Sequence, residues 1–454
     1  MDDSGTQDPS HRPTRIRYKI VALAMLVAVL LYLDRVCMSI ASKSVADDLN
    51  ISSQHLDWLL GAFFWTYALG QLPAGWLGDR FGARWMLGSY IVLWSLCTGL
   101  MGFAGSAGIL LVLRLGCGLF EAGAYPVAAS IVRRWVPKER RGIASSIIAL
   151  GGRLGGAVAP PLTMWLMLRW TFGSEVPADA VAAVTSWRPV MILYGLVGIG
   201  IAIVFMWLFR DYPEKHPKVN AEEVALIRRG DPPVVLGQTS HTAPPILEMI
   251  QSLPLWLCCV VQFAANLGWA FLVTKMPQYL EQVHHSSQKA QGWLQSLPLF
   301  AGIAGLLLGG LFTDRLTSAF GLRWGRSVAL CLSRLIVAGA FVGCLFVDTP
   351  LDATLCLAIV GLATDLGTPA SWAYGQDVGG RYVGSVVGWF NMWGNFGAAL
   401  SPVVLGWIVA QFTETATGWH AAFAACAALN IMAAAAAMGV NASHPLRSDS
   451  IACK

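Results

Sequence analysis

Charge is scarce in this sequence. Lysine, arginine, aspartate and glutamate together make up 13% of the 454 residues, about half the share found in soluble domains. With 56% hydrophobic residues and a mean hydropathy of +0.57, so little charge excludes an ordinary soluble enzyme. Other patterns are missing too. No succession of ten-residue segments with alternating polarity marks a β-barrel. The ten cysteines include nine in apolar runs (Cys37, Cys97, Cys117, Cys258, Cys259, Cys331, Cys344, Cys356 and Cys426) and Cys453 near the end. None has the spacing of a zinc site, and buried thiols are ordinary in cores. All eight histidines fall in loops or tails on this reading, which argues against a membrane enzyme holding metal in the bilayer. A net charge of +5 is no nucleic-acid signature. No cofactor or metal is expected.

What is present is a series of long apolar runs. A bilayer core takes roughly 20 residues of helix. Twelve runs qualify, near 18–42, 55–78, 85–104, 107–133, 141–168, 187–209, 255–281, 290–313, 325–347, 352–376, 381–411 and 417–440. Lipid leaves no partner for an open backbone group, so an α-helical bundle follows. The first run is followed by no small-residue cleavage site and reads as a retained span.

The cations take sides. Arg12, Arg15, Arg17 and Lys19 precede the first run, and loops of the same parity hold Arg80, Arg84, Arg133, Arg134, Lys138, Arg140, Arg141, Arg210, Lys215, Lys218, Arg228, Arg229, Arg315, Arg323, Arg326 and Arg381. The opposite loops hold acids: Asp47, Asp48, Asp57, Glu175, Asp179, Asp348, Asp352 and Glu414. The positive-inside rule places both termini in the cytoplasm of a multi-pass plasma (inner) membrane protein. The stretch 211–252 is rich in charge and proline and reads as a cytoplasmic linker with a short surface helix at 220–229. It divides a cytoplasmic tail (1–17) and six-helix bundle (18–210) from a second bundle (253–441) and tail (442–454).

The two halves repeat. Glycine, three residues, then Asp-Arg occurs at Gly75 to Asp79-Arg80 and again at Gly310 to Asp314-Arg315. GRLGGAVAP (152–160) and GNFGAALSP (394–402) share G-x-x-G-x-x-x-x-P. Two echoes in the same order, about 240 residues apart, indicate duplication. Internal repeats are the usual build of secondary transporters, with the site near the midplane between halves.

GWLGDRFGAR (75–84) resembles the signature loop of the major facilitator superfamily. YLDRV (32–36), FFWTYALGQLPAGWLGDRFG (63–82), RLGCGLFEAGAYP (114–126) and WFNMWGNFGAALSP (389–402) resemble its anion:cation symporter branch. That branch includes carriers of galactonate, glucarate and hexuronates and the animal sialic acid and vesicular glutamate carriers. The resemblance covers nearly the whole chain except the tails and linker. It implies an all-α membrane protein with twelve transmembrane helices in two pseudo-symmetric six-helix bundles.

Ionisable residues inside a membrane are functional candidates by default. Asp34, Arg35, Arg114, Glu121 and Arg153 stand out. Arg334 is placed near the cytoplasmic end of the ninth run, where it could snorkel, and Lys275 near an outer end. Asp34 lies sixteen residues into its run, Arg114 and Glu121 seven and fourteen, and Arg153 twelve. Seven residues are two helical turns, so Arg114 and Glu121 share a face. All five charges are expected to meet in one aqueous cavity of the N-terminal half. Glu121 beside Arg114, and Asp34 beside Arg35, fit a proton switch, and equally a structural ion pair between spans one and four.

The resemblance implies proton coupling by Asp34 and Glu121, with Arg114 as the glutamate's partner. It implies an anion-binding role for Arg35, and puts Tyr32, Tyr67, Ser371, Trp372 and Asn391 in or beside the substrate pocket. Arg153 departs from the sugar-acid carriers, which have a neutral polar residue there; the repeat sets Asn395 opposite it. Gly151 to Gly155 and Gly152 to Gly156 are small-xxx-small pairs suited to close packing. Two acids against three arginines leave one net positive charge for a bound monoanion, so Arg153 is expected to be a second anion ligand. Asp79 and Asp314, with Arg80 and Arg315, are expected to gate by pairing with arginines and capping facing helix ends.

The expected function is proton-coupled symport of a small organic anion by alternating access, without enzyme chemistry. The protein would work as a monomer in the lipid bilayer, with a carboxylate and protons as its partners. An efflux antiporter and a non-transporting receptor are the alternatives.

Overall fold

The computed structural model describes residues 12–172, 187–229, 244–285 and 288–446. Residues 1–11, Glu175, Asp179, the linker stretch 230–243, the end of the tail (447–454) with Cys453, and the side chain of Asp57 lie outside the described residues.

The apolar runs fold as helices, and some of these, such as Ile16–Leu49, Ser53–Phe81 and Pro350–Val378, extend past their run at both ends. In the first half the helices are α1 (Ile16–Leu49), α2 (Ser53–Phe81), α3 (Ala83–Met101), α4 (Ala107–Glu121), α5 (Ala124–Trp135), α6 (Arg141–Phe172) and α7 (Trp187–Leu208). Two short helices, α8 (Ala221–Arg228) and α9 (Ile246–Gln251), occupy the linker. The second half holds α10 (Leu253–Thr274), α11 (Met276–Gln282), α12 (Gln288–Gly343), α13 (Pro350–Val378), α14 (Val383–Ala410) and α15 (Thr415–Met438). Nine helical stretches among the described residues are long and apolar enough to cross a membrane. One of them, Trp293–Gly343, turns back at Gly321 and makes two spans. With α2 and α3, which are long enough but less apolar, the total is twelve transmembrane helices in two pseudo-symmetric bundles of six.

The starts and stops are chemical. Ser52, Ser106, Asn220 and Thr349 each accept a backbone N–H of the helix that follows, which relieves an orphan donor of the first turn. Ser52 starts α2 early enough to take His55 into its first turn, and α15 takes in His420. These two histidines are therefore helical rather than in loops. The fourth apolar run breaks between Glu121 and Ala124, so α4 and α5 share one span.

The duplication is visible in the backbone. The signature stretches end in Gly82 (φ 90°) and Gly321 (φ 77°), both in the region that only glycine enters freely. Each lets the chain reverse directly into the next helix. The second echo is a packing seam. A Cβ on Gly151 or Gly155 of α6 would strike the carbonyl oxygens of Met25 and Val29 in α1, and one on Gly397 of α14 would strike Phe263 O in α10. The glycines allow backbones to touch, as small-xxx-small pairs do.

One face of the molecule gathers the start of α1, the linker and the ends of α13 and α15; it is called the linker face below. Glu223 of α8 caps α1 there, accepting from Ile16 N at 2.9 Å, Arg17 N at 3.1 Å and Arg17 Nη1 at 3.0 Å, and from the Thr14 hydroxyl. Burial raises its carboxyl's pKa, but these bonds outweigh that and hold it below the usual range. Asp211 accepts Arg84 N at 3.1 Å and Arg134 Nη1 at 3.2 Å, tying the linker to α3 and α5.

Candidate functional site

α1, α2 and α4 build a charged cluster in the first bundle. Arg35 donates from Nε and Nη2 to Glu121 Oε2, at 3.2 and 3.0 Å. Its guanidinium lies over the rings of Tyr67, Phe63 and Tyr32, at 4.3, 4.9 and 5.1 Å from their centroids. Arg114 lies over the same Phe63 ring at 4.7 Å. Aromatic faces thus replace part of the hydration both cations lose. Arg114 is buried, and its Nε has no partner among the described residues. Asp34 is buried as well. Its Oδ2 accepts Trp94 Nε1 at 3.0 Å, while Oδ1 is unpartnered. Buried polar atoms without partners are rare and mark candidate functional atoms. The two-turn spacing of Arg114 and Glu121 brings both to α1, as expected.

Arg153 does not join this cluster. Gly151 and Gly155 face α1, and Gly152 faces Tyr32 and Tyr125. At about 100° per residue the next side chain turns toward the second bundle. There Arg153 forks onto Asp365 of α13, with Nε to Oδ2 at 3.1 Å and Nη2 to Oδ1 at 2.7 Å, and lies over Trp269 of α10 at 4.9 Å. The expectation of five charges in one cavity is therefore corrected: four sit together and the fifth bridges the bundles. The charge count also changes. Asp365 and Arg334 enter it, making three carboxylates against four guanidiniums, and Arg153 is paired rather than bare.

The other expected pocket residues lie between the bundles. Tyr125 and Trp372 meet across the interface with ring centroids 5.0 Å apart. Asn391 donates from Nδ2 to Gln71 Oε1 at 2.9 Å. Ser371 is buried beside them on α13. Asn395, the repeat counterpart of Arg153, donates to the Asn391 carbonyl of its own helix at 2.8 Å and does not cross.

The signature aspartates close the linker face. Asp79 accepts Gly384 N at 2.8 Å and both Ser385 N and Ser385 Oγ, at 2.7 and 2.8 Å, at the first turn of α14 in the other bundle. Ser130 Oγ of its own bundle adds a bond at 3.1 Å. Asp314 accepts Gly142 N and Ile143 N, both at 2.9 Å, at the start of α6. Each half caps a helix of the other, and a carboxylate at a helix N-terminus is stabilised by the dipole. The signature arginines stand apart. Arg80 lies over Trp76 and Phe81 at 5.3 and 5.2 Å, and Arg315 is exposed. Of the two expected contacts, amide capping is made by both aspartates; among the described residues Arg326 approaches Asp314 at 3.9 Å and Arg134 lies within electrostatic reach of Asp79. Among the described residues the inter-bundle hydrogen bonds run from the linker face up to Arg153 and Asp365.

The family model described as the Major Facilitator Superfamily matches residues 24–402. The chain belongs to the major facilitator superfamily. It is 30% identical over 403 residues to a probable sulfoacetate transporter of Cupriavidus necator, covering 87% of this chain and 88% of that one. Identity to a probable galactarate/D-glucarate transporter of Bacillus subtilis is 32% over 425 residues, covering 90% and 89%. Human sialin is 26% identical over 394 residues, covering 83% and 73%. These relatives match the branch that the four motifs resemble. Among solved structures, the Escherichia coli fucose:proton symporter superposes with a TM-score of 0.68 at 14% identity, covering 93% of this chain and 99% of that one, a likeness of fold. Like its superfamily, this chain is a membrane transport protein and not an enzyme.

Three features of this facilitator escaped the sequence reading. Asp365 is an intramembrane acid flagged by the same rule as the others, and Asp365-Leu366-Gly367 echoes Glu121-Ala122-Gly123 in the fourth span of each half. Arg334 does not snorkel. It is buried and donates to Asn430 Oδ1 at 3.4 Å, Thr364 O at 3.3 Å and Ser333 Oγ at 3.2 Å, because the helix begins earlier than its apolar run and carries it inward. Arg141 and Arg326 share Asp377 at 2.7 and 3.0 Å, a further inter-bundle tie at the linker face. Only their spatial meeting identifies that triad.

Proposed function

We propose that the protein is a proton-coupled symporter of a small organic anion, a sugar acid or similar carboxylate. In this reading it is a monomer in the plasma (inner) membrane, with the linker face and both termini in the cytoplasm. The observation that carries the reading is the Arg35–Glu121 pair inside an aromatic cage, with the unpartnered Asp34 Oδ1 and Arg114 Nε close by in sequence and space. The relatives' names, galactarate/D-glucarate and sulfoacetate transporters, support an acid as cargo.

The chemistry is an exchange of partners. A carboxylate arriving from the face opposite the linker takes Arg35, whose planar guanidinium suits a two-pronged contact. Glu121 leaves Arg35 and accepts a proton, so proton and anion load together. Asp34 is the second proton carrier, and Arg114 keeps the glutamate site compensated. Tyr32, Tyr67, Ser371, Trp372 and Asn391 line the body of the anion. With the charges cancelled, the bundles rock, the Asp79 and Asp314 caps break, and the anion leaves toward the linker face.

Glu121→Gln tests the reading. In proteoliposomes it is expected to abolish accumulation driven by an imposed pH gradient while retaining exchange of internal for external anion. Equal loss of both activities in a folded variant contradicts the coupling role.

A further inference from the structure

Asp365 raises a question that the coupling scheme leaves open. It forms a two-pronged bond to a guanidinium of the opposite bundle, at the far end of the inter-bundle contacts from the linker face. The Arg153 side chain is 19% exposed and the Asp365 side chain 5%. The space for the carboxylate is built in, since a Cβ on Gly302 of α12 would strike Asp365 Oδ2. A bidentate carboxylate on arginine has the same geometry as a bound organic acid on arginine. Asp365 therefore fills the place that a transported acid group would take.

Arg334 completes the arrangement. It is fully buried, and its hydrogen-bond acceptors are an amide oxygen, a hydroxyl and a backbone carbonyl. A buried guanidinium served by neutral acceptors alone is costly. Yet its Nη2 donates to the carbonyl of Thr364, the residue before Asp365, and Arg334 is the second cation within electrostatic reach of that carboxylate. One acid thus stands between two arginines, one across the interface and one in its own bundle.

We propose that Asp365 is a tethered counter-anion that occupies Arg153 until an acid group of the cargo displaces it, and that then passes to Arg334. This rests on the reading that the cargo is an organic anion. It makes Asp365 a specificity-determining residue: only an acid able to outcompete it gains Arg153. The swap also unties the bundles at mid-membrane at the moment of binding, so that cargo replaces a bridge rather than adding to it.

The test uses the full-length protein, with sulfate and D-glucarate as probes and thermal unfolding and binding titration as readouts. Asp365→Asn frees Arg153. If the bridge is closed about 90% of the time, removing the competitor tightens anion affinity about tenfold. Sulfate is expected to raise the melting temperature of Asp365→Asn more than that of the wild type, and the gain is expected to vanish in Arg153→Gln/Asp365→Asn. Arg334→Gln is expected to weaken binding in the wild-type background and to have no effect once Asp365 is asparagine, a coupling that a merely structural arginine does not show. An Asp365→Asn variant whose sulfate response equals or falls below that of the wild type overturns the proposal, as does an Arg334→Gln penalty that persists without Asp365. If Asp365→Asn does not fold, Arg334→Gln alone decides: smaller shifts with both probes than in the wild type support the proposal, and equal or larger shifts overturn it. D-glucarate failing to bind while sulfate behaves as expected sinks the choice of cargo and leaves the exchange standing.

Discussion

Replacing Asp79 by asparagine should open the linker face. Three of the four hydrogen bonds described for its carboxylate come from the other bundle: Gly384 N, Ser385 N and Ser385 Oγ. They exist only while that face is closed, whereas the bond from Ser130 survives opening. Asparagine keeps one acceptor oxygen, so it can hold one of the two amides. It forfeits the other amide and the charge that strengthens all three bonds and meets the helix dipole. A lost charge-assisted bond is worth about 2 kcal/mol, which moves the closed-to-open ratio about thirtyfold. Asp314→Asn should act in the same direction through Gly142 and Ile143. The assay is pulsed electron–electron distance measurement between spin labels at the exposed Glu139 and Arg323, one on each bundle at this face. The variants should populate a longer distance than the wild type. An Asp79→Asn distribution matching the wild type, with Arg80→Ala shifting it instead, would refute the capping argument.

Two further outcomes follow from the packing and the linker. Gly155→Leu should lower the melting temperature sharply, because its Cβ runs into Val29 O and overpacking costs about 1–3 kcal/mol; Gly156→Ala, whose Cβ would stand 3.4 Å from Tyr32, should be mild by the same thermal assay. Glu223 has a depressed carboxyl pKa in the folded chain, so its cap contributes fully above the ordinary glutamate range and is lost as pH falls through the depressed value. Below that ordinary range the wild type should lose stability more steeply than Glu223→Gln in a pH series of thermal melts, and parallel curves would contradict the cap.

Much of this architecture is legible in the letters. Twelve apolar runs, the Gly75–Asp79 and Gly310–Asp314 echo and the two G-x-x-G stretches specify spans and duplication, because length, hydropathy and small-residue spacing act locally. The seven-residue step from Arg114 to Glu121 specifies a shared face for the same reason. Partners are another matter. Depth along a helix says how far Arg153 lies from the surface, not toward which bundle it points. That depends on Gly151, Gly152 and Gly155 consuming the side of α6 that faces α1. Asp79 reads as a cap for a facing helix end as well as a partner for arginine, yet which helix supplies the amides is invisible in a sequence, and two from the first turn of α14 meet it. Arg334 reads as a surface cation because its apolar run starts late, while the helix does not.

The most direct test of the central claim is D-glucarate uptake by the reconstituted protein with a pH-sensitive dye inside the vesicles. Adding the anion outside, with no gradient imposed, should acidify the lumen as proton and anion enter together, and an imposed acid-outside gradient should drive accumulation above the external concentration. Uptake that proceeds without luminal acidification and stops at equal concentrations, for D-glucarate and for other acids that bind, would contradict proton-coupled symport.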